Sequence, residues 1–141
     1  MLFRSIDIIT KGGKEAFVKQ MVPNLFSQSY RREHVDMVRE QVDTGLKLDA
    51  ASMVAYYGAM AARKDRSDVL KTDRFPIQWI AGKQDNLVPF NSILSQTYQS
   101  SVNFVSLYNN CGHMSMIENP LELIRDISEF SVYCYKKIEK L

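Results

Sequence analysis

The sequence predicts an α/β fold in which parallel strands joined by crossover helices, spanning 73–141, follow a helical segment spanning 1–72. Three observations predict it. Up to about residue 72 the apolar residues recur at helical spacing, broken by glycine, proline and asparagine. Beyond that point two nearly continuous apolar runs occur, Phe75-Pro-Ile-Gln-Trp-Ile-Ala81 and Val102-Asn-Phe-Val-Ser-Leu-Tyr108, as in strands covered on both faces. The stretch between them, with a helix over 90–100, suits a parallel crossover and is too long for a tight hairpin.

The elements follow in order. Residues 3–10 have the pattern of an element interior with no cap before it. Gly12-Gly13 then opens a short amphipathic run in which Phe17, Val18, Met21 and Val22 share a face, and Pro23-Asn24 closes it. Val35, Val38 and Val42 mark a second helix that stops at Thr44-Gly45. Asp49 suits the N-cap of a third, whose stripe is Met53, Val54, Tyr57, Met60 and Ala61. The basic cluster Arg63-Lys64-Asp65-Arg66 belongs at that helix's end, where cations complement the dipole. In the crossover helix Ile93, Leu94 and Tyr98 share one side. The closing helix has Asn119 as N-cap, Pro120 at its first position and Glu122 at its third, with Leu123, Ile127, Phe130, Cys134, Ile138 and Leu141 as its stripe.

A parallel sheet of two strands is not stable on its own, and a bare apolar edge on Phe75–Ala81 would recruit another strand. Either other polypeptide completes the sheet or two copies complete each other.

Composition narrows the function classes. The chain has 141 residues, one domain's worth, and a net charge of +2 with its basic residues scattered, so the footprint of a nucleic-acid binder is missing. The N-terminal apolar run is interrupted by Arg4 and Asp7 and is too short for a signal or a membrane span. Cys111 and Cys134 form neither a CxxC pair nor a disulfide framework, which points to a reducing, cytoplasmic home.

The chemistry concentrates in two segments, Ile80-Ala-Gly-Lys-Gln-Asp85-Asn-Leu-Val-Pro89 and Cys111-Gly-His113-Met-Ser-Met-Ile-Glu-Asn-Pro120. Asp85 and His113 each follow an apolar run, so both side chains leave the carboxyl ends of strands, where open α/β sheets place their ligands. A carboxylate there can hold an imidazole in one tautomer and stabilise the imidazolium that forms when the ring takes a proton. Gly112 permits close backbone approach beside the imidazole. The competing reading of Asp85 is a cap for the helix starting near Pro89, and a lone histidine is more often structural than catalytic. A nucleophile is not in evidence, because no stretch reads Gly-x-Ser-x-Gly.

Other candidates have plainer roles. His34 is expected on the solvated side of its helix, and Glu118 at the turn before the last helix. Cys111 and His113 lack the ligand spacing of a zinc site, and no metal or cofactor is expected. Met53, Met60, Met114 and Met116 read as adaptable packing.

From the first apolar run through Gly82-x-x-Asp85 and Val88-Pro89 to Gly112-His113-Met114 and Glu118-x-Pro120, the chain resembles the C-terminal part of the α/β-hydrolase superfamily. That family's triad runs in the order nucleophile, acid, histidine. The resemblance covers roughly the last half of the chain, and the helical first half looks like the family's lid. It implies that Asp85 is the acid and His113 the general base. It also implies hydrolysis of a carboxylic ester, lactone or thioester through an acyl-enzyme with no cofactor, although the family includes dehalogenases, peroxidases, peptidases and sensors without turnover. Leu87, Val88 and Met114 are wall candidates for a small ester-like substrate by position only. The family's early strands, nucleophile elbow and oxyanion-hole loop are not in this sequence. Two readings stand: an incomplete serine-type hydrolase, inactive alone, completed by an N-terminal half, or a non-catalytic hydrolase-fold fragment that self-associates as an interaction module. Neither reading involves a membrane.

Overall fold

The computed structural model describes residues 2–71 and 75–138. The expected boundary between residues 72 and 73 lies outside the described residues, as do Leu141 and the side chain of Ile138. The chain divides into two compact units, Met1–Asn24 with Arg31–Asp65, and Leu25–Tyr30 with Arg66–Leu141.

The first unit is helical. Helix α1 (Leu2–Ile8) runs through a wide turn, Ile9–Gly13, into α2 (Lys14–Met21). The kink falls at Gly12, whose φ of 88° is a conformation that L side chains rarely adopt. After α3 (Gln28–Glu33), whose first residues belong to the second unit, come α4 (Val35–Leu46) and α5 (Ala50–Ala62). Asp49 caps α5 as expected, its carboxylate accepting from Ser52 N–H at 2.8 Å and Ser52 Oγ–H at 2.6 Å. Helix α4 runs past the expected stop, and Gly45 lies within it. A Cβ there would stand 2.9 Å from Val18 Cγ1, so the glycine lets α2 and α4 approach. Lys14 Nζ donates to the carbonyls of Leu46 and Leu48, both at 2.9 Å, and so satisfies acceptors that α4's end leaves open. The core is Ile9, Val18 and Met53, with Phe17, Val22, Val42, Leu46, Val54 and Tyr57 packed against it. Met60, expected in the α5 stripe, is exposed. The basic cluster begins at the α5 C-cap, where Arg63 is already extended, so its residues follow the last turn instead of occupying it.

The second unit holds the sheet. Strands β1 (Ile77–Gly82) and β2 (Asn103–Tyr108) pair in parallel, from Ile77 opposite Asn103 to Gly82 opposite Tyr108. Helix α6 (Phe90–Thr97) makes the crossover. Asn103 ties its end to β2: its amide donates to the carbonyls of Thr97 and Ser100, and its Oδ1 accepts from Trp79 Nε1–H at 2.7 Å and Ser100 Oγ–H at 2.6 Å. A single-turn helix, α7 (Ser115–Glu118), leads into α8 (Pro120–Ile138). Phe104 of β2 packs on Phe130 and Tyr133 of α8, with ring centroids 5.3 and 4.7 Å apart.

Burial differs from the expected stripes here. β1 is half-buried as far as Ile80 and fully buried only at Ala81 and Gly82, because each strand has one neighbour among the described residues. Leu94 of α6, Tyr98 at its C-cap and Ile127 of α8 are exposed. On α8 the inward place beside Leu123 and Phe130 is taken by Asp126, which accepts from Tyr108 Oη–H at 3.0 Å. Hydrogen bonds from Ser106, Arg125 and Tyr108 hold the Asp126 carboxyl below the usual carboxylate range. Burial, reinforced by Asp126, pushes Tyr108 up to about 12. No helix among the described residues is long and apolar enough to cross a membrane.

Candidate active site at the carboxyl ends of the strands

The loops leaving β1 and β2 are sewn together by their backbones. Lys83 N–H donates to Tyr108 O and Gln84 N–H to Cys111 O, both at 2.9 Å. This closeness depends on Gly82, because a Cβ there would run into the carbonyl oxygens of Gly112 and Cys111. Gly112 is equally confined: its Cβ would stand 2.7 Å from both Leu25 O and Ser27 N. Two glycines therefore let three backbone segments meet where the strands end.

The loops bring Asp85 and His113 together. Asp85 Oδ1 accepts from Leu87 N–H at 2.8 Å and Val88 N–H at 3.0 Å, and Asp85 Oδ2 lies 2.8 Å from His113 Nδ1. The Asp85 side chain is 8% exposed and that of His113 42%, so the carboxylate forms the floor and the imidazole faces outward. Three hydrogen bonds compensate the partly desolvated carboxylate. Two of them come from the rigid backbone, which aims the remaining oxygen at the ring. Asp85 thus caps its own turn. Helix α6 has Pro89 as its N-cap and no side-chain cap hydrogen bond, so the helix-capping reading of Asp85 does not hold.

With its Nδ1–H donated to Asp85, a neutral imidazole carries its lone pair on Nε2. In that tautomer Nε2 can accept a proton, and a carboxylate so placed can stabilise the resulting cation.

The remaining candidates separate clearly. Cys111 is fully buried, and its thiol lies 3.5 Å from Gly112 O. Burial first, then the charges of Glu118 and Asp85, push the thiol up to about 12, which makes it inert as a nucleophile. His34 is exposed, as expected, but it sits at the junction of α3 and α4 instead of on a helix face. Leu87, Val88 and Met116 are exposed and Met114 is half-buried. Among the described residues no three His, Cys, Asp or Glu side chains are grouped to hold a metal ion. A recess of about 240 Å³ between the sheet and α8 is lined by Gln78, Phe104, Ser106, Asp126 and Phe130, and neither Asp85 nor His113 contributes to it.

Two participants make long-range contacts that sequence reasoning missed. One is the segment Leu25–Tyr30, whose Leu25 carbonyl accepts from His113 N–H at 2.7 Å. The other is Glu118, which accepts from Gly112 N–H at 3.0 Å and from Ser27 N–H at 2.9 Å. Glu118 and Ser27 are 91 positions apart, and no local pattern marks such a contact.

No protein-family model and no curated protein matches the chain. Solved structures do. A thermophilic esterase from Thermogutta terrifontis is 20% identical, with a TM-score of 0.82 over 93% of this chain and 48% of its own. An alpha/beta hydrolase enzyme from a Medee basin deep-sea metagenome library is 18% identical, with a TM-score of 0.79 over 92% and 48%. The enol-lactonase from Burkholderia xenovorans is 14% identical, with a TM-score of 0.83 over 94% and 50%. The chain spans about half the length of the structures it matches.

Proposed function

We propose, from a fold similar to that of hydrolase-fold enzymes, that this chain supplies the acid and the base of a serine-type hydrolase. The substrate class is a carboxylic ester, lactone or thioester, and the nucleophile lies on polypeptide beyond this chain. The observation that carries the reading is the 2.8 Å contact between Asp85 Oδ2 and His113 Nδ1, on loops joined at the carboxyl ends of adjacent parallel strands.

In this reading a serine hydroxyl attacks the acyl carbonyl as its proton passes to His113 Nε2. Collapse of the tetrahedral adduct breaks the bond to the alkoxide or thiolate, which takes that proton. A water molecule then attacks the acyl-enzyme, His113 again accepting the proton and returning it to the serine. Asp85 stays ionised throughout and stabilises the imidazolium. No cofactor enters.

The test is completion. Joined to the N-terminal half of a hydrolase-fold enzyme carrying Gly-x-Ser-x-Gly, the chain is expected to hydrolyse short-chain aryl esters, and His113→Ala is expected to abolish that turnover. A well-folded fusion with no turnover on any of the three bond types would reject the proposal.

The second reading, a non-catalytic interaction module, rests on one observation. Leu121, Ile124, Tyr135 and Val105 of the second unit are exposed. Apolar surface of this kind serves self-association or a complementing chain equally well. Under the module reading the chain forms a defined dimer that an added N-terminal half does not dissociate. Under the hydrolase reading the added half replaces the second copy.

A further inference from the structure

The turn that carries His113 is held from behind by a carboxylate. Glu118 ends α7 and is half-buried, and each of its oxygens takes one backbone N–H: Oε1 that of Gly112 at 3.0 Å and Oε2 that of Ser27 at 2.9 Å. Gly112 immediately precedes His113. Leu25 O, two residues before Ser27, receives the His113 N–H at 2.7 Å. The backbones of the Leu25–Ser27 segment and the Gly112–His113 turn therefore meet at a direct hydrogen bond and at a shared carboxylate. There is no slack on this side, because Gly112 lacks room even for a Cβ. The charge of Glu118 is felt locally: burial raises both Cys111 and Tyr30, and Glu118 adds to each.

We propose that Glu118 is a positioning residue. Its carboxylate clasps the backbone N–H groups of Gly112 and Ser27 and so sets the His113 imidazole at hydrogen-bonding distance from Asp85. The inference rests on the reading of Asp85 and His113 as acid and base. It adds that the geometry of this pair is imposed through the backbone by a third acidic group that does not touch substrate. Two donors facing one side chain require two acceptors. Glutamate has them; glutamine has one, and turns its NH₂ against the other N–H, leaving a partly buried donor opposed.

The test uses the whole chain with ¹⁵N-labelled histidine, which holds only two such residues, His34 and His113. Imidazole ¹⁵N spectra at mildly alkaline pH report which ring nitrogen carries the proton. The unsubstituted chain is expected to show His113 as the Nδ1–H tautomer, while Asp85→Asn shifts it to Nε2–H. Glu118→Gln, recorded well below its melting midpoint, is expected to move the His113 signal most of the way to that of a free imidazole. Glu122→Gln, which removes an equal charge four residues on, is expected to leave it in place. A Glu118→Gln chain that melts earlier but keeps the His113 signal unchanged would overturn the proposal, since Glu118 would then be structural only. Absence of the Nδ1–H tautomer in the unsubstituted chain would instead reject the acid–base pair itself. A measurement without substitution guards against a misfolded variant. On acid titration the amide protons of Gly112 and Ser27 are expected to shift together with the Glu118 carboxyl signal, and independent shifts would overturn the clasp.

Discussion

Replacing Asp85 by asparagine in the completed enzyme changes one atom and reverses the logic of the pair. Oδ1 of Asp85 is held by the N–H groups of Leu87 and Val88, so an asparagine keeps its oxygen there and presents its NH₂ to His113 Nδ1. Facing a donor, Nδ1 must accept, and the ring proton moves to Nε2, the atom that receives the nucleophile's proton in the proposed mechanism. The backbone contacts survive, so the fold is retained while the base is disabled. In serine proteases the equivalent change lowers kcat on the order of 10⁴, about 5 kcal/mol of transition-state stabilisation. The assay is aryl-ester turnover with a melting curve for each variant. Asn86, exposed beside the acid, is the control, and Asn86→Ala is expected to leave kcat within a few-fold. Equal losses from both changes, or no loss from Asp85→Asn with an unchanged melt, would refute the reasoning and place the acid elsewhere.

Three further outcomes are expected. Gly82→Ala forces a methyl group against the Gly112 and Cys111 carbonyls and is expected to cost at least about 1–3 kcal/mol, read from urea midpoints, whereas Gly58→Ala, with open space around it, costs nothing or stabilises. Cys111 is raised from an ordinary 9 to about 12 and Tyr108 from 10 to about 12. The unfolded chain therefore releases these protons first, and stability is expected to be undiminished below pH 9 and to fall progressively towards pH 12; a flat urea midpoint across that range would contradict the burial of both groups. The 141-residue chain by itself is expected to hydrolyse aryl esters no faster than its His113→Ala version, since in the proposed reading the nucleophile and both oxyanion donors are supplied by other polypeptide.

Legibility in the sequence follows the range of the interaction. Asp49 as a cap and Gly12-Gly13 as the break before α2 are local, and both are visible in the residue types alone. The convergence of Asp85 and His113 is long-range but legible, because two apolar runs with a crossover between them force parallel strands, and parallel strands put their carboxyl ends side by side. Periodicity was less reliable for burial. It states which residues share a face, not what covers that face, and Met60, Leu94, Tyr98 and Ile127 share faces with packed residues yet are exposed. Glu118 was read as a turn residue because its partners, two backbone N–H groups, have no side-chain identity to leave a pattern.

The most direct measurement of the central claim is the rate and position of labelling by an aryl fluorophosphonate, which reacts with a serine only where a base activates it. In the completed enzyme the adduct is expected on the serine of the added half, found by peptide mass spectrometry. The rate is expected to fall roughly 10²–10⁴-fold when His113 is alanine, the range a positioned general base supplies. An adduct on a side chain of this chain, or the same labelling rate with and without His113, would contradict the account.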